Sequence, residues 1–301
     1  MEKGKMASAL LGLCVGNAIG AHMAGKADKN GRYDVQPACN WAASGDMALC
    51  LAQSLSKGLD YSDIASRFLR WMRGECLAPS GEEIVIDPRT RRALMRFEVG
   101  KDAVKCGASK RKNNRTQPLG WALPLAFYRF DTPAAAFETV KNTIGITHGD
   151  ARCVLACAAF IETARNIIDG KTLQESWDMA GNTVYHAYMN GQYSREYVKE
   201  ALLFKHRLFL TGQQYGDLPK SCIVNEDDPM TTLDAAIWCL LNGVSFQDTV
   251  SKAVSFGGES GILCAAVGGL SGLHYGMENI PPKWQDALVR KEEVFAVALE
   301  W

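Results

Sequence analysis

The sequence predicts an all-α protein, and three observations carry that prediction. Apolar residues recur at helical spacing, residues that cap helix N-termini stand just before those segments, and the alternation typical of strands is almost absent. With 301 residues and 47% hydrophobic content, the chain is long enough for one large core. No linker, repeat or low-complexity tract divides it, so residues 1–301 are predicted to form a single domain. The sequence allows a short strand only in the loop around Ile84–Ile86.

Several helix starts can be read from local residue types. Ser62 opens an amphipathic segment whose apolar residues recur at helical spacing, namely Ile64, Phe68, Leu69 and Met72. Thr132-Pro133 supplies an N-cap followed by proline at the first helical position. Thr172 and Glu175 form a capping box before a segment that runs to about Met189.

Two helices and a glycine turn are predicted near the C-terminal end. Ser245 begins a helix that runs to about Ser255, because its hydroxyl can satisfy free amides of the first turn. Gly257-Gly258 ends that helix, and the small, apolar run Ile262–Tyr275 suits a helix buried on most sides. The turn is either a tight connection or a device that directs first-turn amides at an anionic ligand.

Composition excludes some functions. Lys+Arg and Asp+Glu are equal at 33 each, which disfavours a nucleic-acid binder that works by neutralising phosphates. No apolar run has the length and purity of a membrane span, and the first residues lack a signal-peptide pattern, so a cytoplasmic protein is expected. The ten cysteines lie mainly in apolar helical patterns, and Cys153 and Cys157 are interpreted as core thiols, not metal ligands.

The segment Leu233–Trp284 reads LDAAIWCLLNGVSFQDTVSKAVSFGGESGILCAAVGGLSGLHYGMENIPPKW and resembles the C-terminal signature of the ADP-ribosylglycohydrolase family, whose members include dinitrogenase reductase-activating glycohydrolases. Met6–Met23 is similar to the family's opening helix, with Asn17 in place of an aspartate. Pro88–Gly100 and Thr147–Ala151 match two further landmarks. The resemblance implies an orthogonal bundle of helices around a central cleft, with ADP-ribose or a related nucleotide as ligand.

The metal-binding motifs of that family are degenerate here. Its Gly-Gly-Asp-Thr-Asp-Thr element reads Gly257, Gly258, Glu259, Ser260, Gly261 and Ile262 in this chain. Its Thr-Asp-Asp-Thr element, aligned on Met47-Ala48-Leu49, falls on Ala42, Ala43, Ser44 and Gly45. Since two magnesium ions need several shared carboxylates and one aligned carboxylate survives, the sequence predicts no metal site and no cofactor.

The resemblance also assigns candidate site residues. A basic run, Lys101–Arg115, leads towards the family's cleft and is either an anion-attracting loop or a solvated one. His148 stands in the family-like Thr-His-Gly-Asp turn, where it and Asp150 either cap the next helix or touch ligand. The predicted ligand-binding residues are Asn17, Trp41, Ser44, Thr116, Gln117, His148, Gly257, Gly258 and Ser260.

Two functions of different class follow from the resemblance. The first is a pseudoenzyme that binds ADP-ribose, a related nucleotide or a protein partner, including an ADP-ribosylated one. The alternative is a metal-independent hydrolase of ADP-ribosyl N- or O-glycosidic bonds. In that alternative Glu259 acts as general acid or base, and Asp46 stabilises an oxocarbenium-like transition state. Asp46 also suits a plainer role, as an acid in the first turn of a helix.

Overall fold

The computed structural model describes residues 2–24, 26, 34–77, 85–109, 116–130, 132–190, 194–208, 212–258 and 260–301. Within those ranges the chain forms 14 α-helices and no strand, which confirms the predicted all-α fold. In chain order they are α1 Glu2–Met23, α2 Ala43–Leu55, α3 Tyr61–Met72, α4 Pro88–Glu98, α5 Pro133–Gly145, α6 Ala151–Ile168, α7 Leu173–Asn190, α8 Arg195–Leu208, α9 Gly212–Asp217, α10 Pro229–Asn242, α11 Phe246–Val254, α12 Ser260–Tyr275, α13 Pro282–Ala287 and α14 Lys291–Leu299.

Helices α1 and α12 cross at the centre of the fold with their backbones in contact. The contact is made by glycines spaced four residues apart, so no side chain separates the two helices. A Cβ placed on Gly16 would lie 2.1 Å from the carbonyl oxygen of Cys264, and one on Gly268 would lie 2.2 Å from that of Gly12. The helices run antiparallel, because Gly20 meets Ser260 while Gly12 meets Gly268. The end of α1 is therefore held beside the start of α12.

We expect Gly16→Ala to lower the free energy of unfolding by at least about 2 kcal/mol, because the added methyl must push two packed backbones apart. Urea denaturation measures the change. Gly4→Ala on the same helix is the matched control, since no atom lies within 4 Å of a Cβ there. That control should stabilise the protein by up to about 1 kcal/mol through helix propensity. Equal stability of the two variants would contradict the close crossing.

Helix α1 corrects one expectation about membranes. By length and composition alone, Lys3–Met23 could cross a bilayer, although the sequence was expected to contain no such run. In the fold, 78% of its most apolar window is buried against other helices. The apolar character therefore reflects a central core helix that is surrounded by protein.

The caps predicted at Ser245, Thr132 and Thr172 are confirmed. Ser245 accepts a hydrogen bond from the amide of Asp248 (3.1 Å), and Thr132 accepts one from Ala135 (3.1 Å). Thr172 and Glu175 exchange the two bonds of a capping box. The two helices predicted near the C-terminal end are present as α11 and α12, and Cys153 and Cys157 are buried, as expected of core thiols.

The start of α3 was predicted slightly too late. The helix begins at Tyr61, and its cap is Asp60, whose carboxylate accepts from the amides of Ser62 and Asp63 at 2.8 and 3.1 Å. Ser62 therefore lies inside the first turn. The strand left open around Ile84–Ile86 does not form in residues 85–87, and Ile84 lies outside the described residues.

Candidate ligand cavity

A cavity of about 420 Å³ opens where the starts of α2, α4 and α12 meet the second half of α1. These elements come from distant parts of the chain. Two of them, α1 and α12, are brought together by their crossing at the centre of the fold. Its lining consists of Asn17, Ala21, Ala24, Ala42, Ala43, Ser44, Val85, Ile86, Asp87, Pro88, Arg89, Thr116, Gln117, Asp227, Gly261 and Ile262.

The two segments that align with the family's metal motifs both contribute to this lining. Ala42, Ala43 and Ser44 come from the start of α2, and Gly261 and Ile262 from the first turn of α12. The fold thus brings the two motif positions together. Their described residues present methyl groups, one hydroxyl and a glycine to the cavity.

Asn17 joins the three elements around the cavity. Its side-chain oxygen accepts hydrogen bonds from the amides of Ala42 (2.8 Å) and Gly45 (3.2 Å), at the start of α2. Its side-chain nitrogen donates to the carbonyl of Gly261 (3.0 Å), in α12. An aspartate, which only accepts when ionised, cannot make the last bond. Asn17 therefore suits a site that is held together by neutral hydrogen bonds.

Thr116 and Gln117, two of the predicted ligand-binding residues, line the cavity beside α2. Gln117 begins a short 3₁₀ turn that ends at Gly120. A Cβ on Gly120 would lie 2.3 Å from the hydroxyl oxygen of Ser44. The Ser44 side chain is therefore packed tightly against this turn, which leaves little room there for a larger side chain.

Asp87 and Arg89 are cavity residues that the sequence reasoning missed. The Asp87 carboxylate caps α4 by accepting from the amides of Arg89 and Thr90, both at 2.8 Å. The same carboxylate lies 3.7 Å from Nε2 of buried His148 and 3.8 Å from the Arg89 guanidinium. His148 lies beside Asp87 but does not line the cavity. Its Nδ1 lies 3.0 Å from the Thr147 hydroxyl.

Asp227 adds a second acid at the exposed edge of the cavity, just before α10. Neither Asp87 nor Asp227 carried a functional signal in the sequence. Asp87 followed by proline reads as a helix start, and it stands one residue before the landmark segment Pro88–Gly100. Only the tertiary structure directs these carboxylates towards the cavity.

Asp46 and Trp41, both predicted site residues, lie outside the cavity lining in a buried polar cluster. The Asp46 carboxylate accepts from Nε1 of Trp41 (2.7 Å), Nε1 of Trp71 (3.0 Å) and the Arg290 guanidinium (2.8 Å). Burial raises the pKa of Asp46, while these donors oppose the rise. The Arg290 guanidinium also stacks 4.4 Å from the Trp41 ring centre.

This cluster restricts position 45, which aligns with a family threonine. A Cβ on Gly45 would lie 2.4 Å from the Trp41 ring. The ring cannot easily yield, because it is hydrogen-bonded to Asp46 and covered by Arg290. A side chain at position 45 therefore requires rearrangement of the buried cluster.

The diglycine turn leads into α12 behind the cavity lining. Gly257 and Gly258 both have left-handed φ angles, 68° and 63°, so both positions favour glycine. Ser260 is buried and donates to the carbonyl of Gly20 (2.8 Å), which ties α12 to α1. Glu259 lies outside the described residues, as does the basic stretch Lys110–Arg115.

The described donors do not fit the two-magnesium site that the family resemblance implies. Magnesium prefers several carboxylate ligands in near-octahedral geometry. The described aligned positions offer the Ser44 hydroxyl, and the described carboxylates of the cavity are those of Asp87, one oxygen of which accepts from two amides, and of Asp227 at the exposed edge. Among the described residues, no group of three or more His, Cys, Asp or Glu side chains is arranged to hold a metal.

Asp150 shows the capping role that was the plainer of the two expectations. Its carboxylate accepts from the amide of Cys153 (3.0 Å) at the start of α6, while its Oδ2 is buried without a hydrogen-bond partner. Burial, with a smaller contribution from the nearby Glu200 and Asp228 carboxylates, raises its pKa from 3.8 to about 6. The folded state therefore holds a proton that the unfolded chain releases between these two values.

We expect Asp150→Asn to stabilise the protein by about 2–3 kcal/mol near pH 8 and to have little effect near pH 4. An acid whose pKa is raised by folding loses stability as pH rises through the window between its two pKa values, and asparagine caps a helix equally well without this cost. Denaturant titrations at the two pH values measure the difference. If Asp150→Asn stabilised the protein equally at both pH values, that result would contradict the cost of burying an ionised Asp150 carboxylate.

Comparison with known proteins agrees with the fold. Residues 2–300 match the ADP-ribosylglycohydrolase family, and the chain belongs to that family. It is 26% identical over 310 residues to the ADP-ribosylarginine hydrolase Tri1 of Serratia proteamaculans (strain 568), spanning 98% of this chain and 78% of that protein. The ADP-ribosylarginine hydrolase Tri1 of Pseudomonas putida (strain GB-1) is 24% identical over 305 residues, 97% and 76% of the two chains.

A solved structure, an ADP-ribosylglycohydrolase-related protein complex, has the same fold. The superposition has a TM-score of 0.77 and covers 99% of this chain and 97% of that one, at 24% identity. The helical bundle with its cleft is therefore the family fold, and the cavity occupies the place where the motif positions of the chain converge.

Proposed function

We propose that this family member binds ADP-ribose, or a related nucleotide, in the 420 Å³ cavity without the two metals and without efficient hydrolysis. One observation carries the proposal: both motif segments converge on the cavity, yet their described side chains supply no carboxylate. The cavity volume lies within the range of about 300–1,000 Å³ that is usual for small-molecule sites. The scaffold for a ligand is kept while the means of holding metals is not.

The polar groups of the cavity suit a nucleotide diphosphate. The start of α12 lies at the cavity, and helix N-termini favour anions, whereas the first amides of α2 and α4 already donate to Asn17 and Asp87. The Arg89 guanidinium adds positive charge, and its buried Nε makes no hydrogen bond within the protein. Thr116 and Gln117 offer hydroxyl and amide groups for the ribose or base.

An ADP-ribosylated protein is the partner that the relatives favour. Both Tri1 relatives are ADP-ribosylarginine hydrolases, so a modified arginine is the first side chain to test here. Asp227, at the exposed edge of the cavity, supplies a carboxylate for a guanidinium that enters with the ADP-ribose. Recognition of the modified side chain, sequestration of the nucleotide and blocking of a partner all use this one site.

Calorimetric titration with ADP-ribose tests the site, with variants at two neighbouring exposed positions of α1. Ala21 lines the cavity and is exposed, so Ala21→Trp fills the cavity without disturbing the core. His22 is its exposed neighbour outside the lining, so His22→Trp is the matched control. We expect Ala21→Trp to weaken binding at least about tenfold, which corresponds to 1.4 kcal/mol, and His22→Trp to leave it unchanged.

If both variants bound ADP-ribose equally well, the ligand would have to bind at another site. Failure of the unaltered protein to bind ADP-ribose or an ADP-ribosylated arginine peptide would contradict the proposed function itself.

A further inference from the structure

Two cysteine thiols, one in α2 and one in the turn after α3, lie close to the same backbone carbonyl of α3, away from the cavity. Cys50 is buried in α2, and Cys76 is half-buried just after α3. Their sulfur atoms lie 3.9 and 4.0 Å from the same acceptor, the carbonyl oxygen of Arg67. Both thiols therefore lie close to one backbone carbonyl of α3, and the interaction between them shifts their pKa values in opposite directions. The remaining buried cysteines act as core side chains, but this pair has an accessible member.

The surroundings give the two thiols different reactivity. The interaction with Cys50, helped by the Arg70 and Arg67 guanidinium groups, lowers the pKa of Cys76 from 9.0 to about 7. The same interaction, together with burial and the Asp46 carboxylate one turn earlier, raises the pKa of Cys50. About half of Cys76 is therefore thiolate at neutral pH, while Cys50 remains a thiol. A thiolate, not a thiol, is the nucleophile in cysteine chemistry.

We propose that Cys76 is an oxidation site at which a hydroperoxide is reduced and a Cys50–Cys76 disulfide is formed. The inference follows from the contact of an accessible thiol with a buried one at a shared carbonyl, and it does not depend on the ligand of the cavity. It assigns to this pair a chemistry that is absent from the proposed binding function.

The reaction proceeds in two balanced steps. First, the Cys76 thiolate attacks one oxygen of hydrogen peroxide, the O–O bond breaks, hydroxide leaves, and Cys76 becomes a sulfenic acid. Second, the Cys50 sulfur attacks the Cys76 sulfur, an S–S bond forms, the S–O bond breaks, and the hydroxyl group leaves with the Cys50 proton as water. The peroxide gains two electrons, and each sulfur supplies one.

The disulfide would reinforce a connection that already exists between α2 and the chain after α3. Leu77, the next residue, has a left-handed φ of 53°. Its carbonyl accepts a hydrogen bond from Arg290, the same guanidinium that pairs with Asp46 in α2. A covalent link from Cys50 to Cys76 spans the same two segments.

The test exposes the full-length protein to hydrogen peroxide at neutral pH and maps its peptides without reduction. We expect a Cys50–Cys76 linked peptide, and we expect Cys76 to react at least about tenfold faster than the exposed Cys39 and Cys222, because a pKa near 7 makes about half of the thiol nucleophilic. Cys76→Ser should abolish the link. Cys50→Ala should leave a sulfenic acid on Cys76 that dimedone traps.

The pH dependence of Cys76 alkylation by iodoacetamide in the unaltered protein gives a readout that does not require any variant to fold. Its midpoint is expected near pH 7, as the lowered pKa implies. The proposal is overturned if Cys76 reacts no faster than Cys39, if it accumulates as sulfenic acid while Cys50 is present, or if it pairs with another cysteine.

Discussion

Asp46→Ala is expected to lower the free energy of unfolding by about 3–5 kcal/mol, the usual loss when one partner of a buried ion pair is removed. The Asp46 carboxylate is 2% exposed and accepts from two indole N–H groups and the Arg290 guanidinium. Its removal leaves three donors without their acceptor in the interior of the fold. The loss should be greater than that caused by truncation of any surface acid.

Asp286→Ala is the matched control for this prediction. Asp286 pairs with Lys291 at 3.0 Å, but its side chain is 73% exposed, and such pairs contribute about 0–1 kcal/mol. Urea denaturation of both variants measures the difference. The result also decides between two interpretations of Asp46: a structural acid gives an unstable protein, whereas a transition-state stabiliser gives a stable protein with reduced turnover. Wild-type stability for Asp46→Ala would contradict the structural role.

Hydrolysis of ADP-ribosylarginine or ADP-ribosylserine substrates is expected to be absent, or at least about a thousandfold slower than that of a metal-dependent relative. A metal that stabilises developing charge contributes several kcal/mol to barrier lowering, and each 1.36 kcal/mol corresponds to tenfold in rate. Whatever turnover remains should be unaffected by EDTA. Release of ADP-ribose from a modified arginine peptide, followed with and without EDTA, measures both quantities.

Glu259→Gln separates the proposed binding protein from the alternative hydrolase. If Glu259 only shapes the binding site, the substitution should change ligand affinity by about 1 kcal/mol, roughly one hydrogen bond. If it is the acid or base of a metal-independent hydrolase, turnover should fall about a hundredfold or more while binding is kept. The second outcome, in a protein with EDTA-resistant turnover, would replace the pseudoenzyme proposal by the hydrolase.

Helix positions were largely predictable because caps are local. Ser245, Thr132 and the Thr172–Glu175 box act within a few residues of the helices they start, so the sequence contains their partners nearby. The α1–α12 crossing was less visible. Its glycines are apparent in the sequence, but the pairing of Gly16 with Cys264 joins positions nearly a whole chain apart.

The candidate site was predictable only where the family resemblance supplied an alignment. That alignment selected Asn17, Ser44, Thr116 and Gln117, and all four line the cavity. It could not reveal that Asp87 turns towards the cavity, because a helix cap and a cavity acid have the same local pattern. The hydrogen bond from Arg290 to Asp46 could not be predicted either, since the two residues are 244 positions apart in the sequence.

Calorimetric titration of the unaltered protein with ADP-ribose, once in millimolar magnesium and once in EDTA, tests most directly whether the cavity binds its ligand without metal. We expect the same affinity under both conditions, because the described cavity groups are amides, hydroxyls, a guanidinium and only two carboxylates, those of Asp87 and Asp227, which are too few for two magnesium ions to share. Binding that requires magnesium and disappears in EDTA would contradict this and would mean that a functional metal site is present.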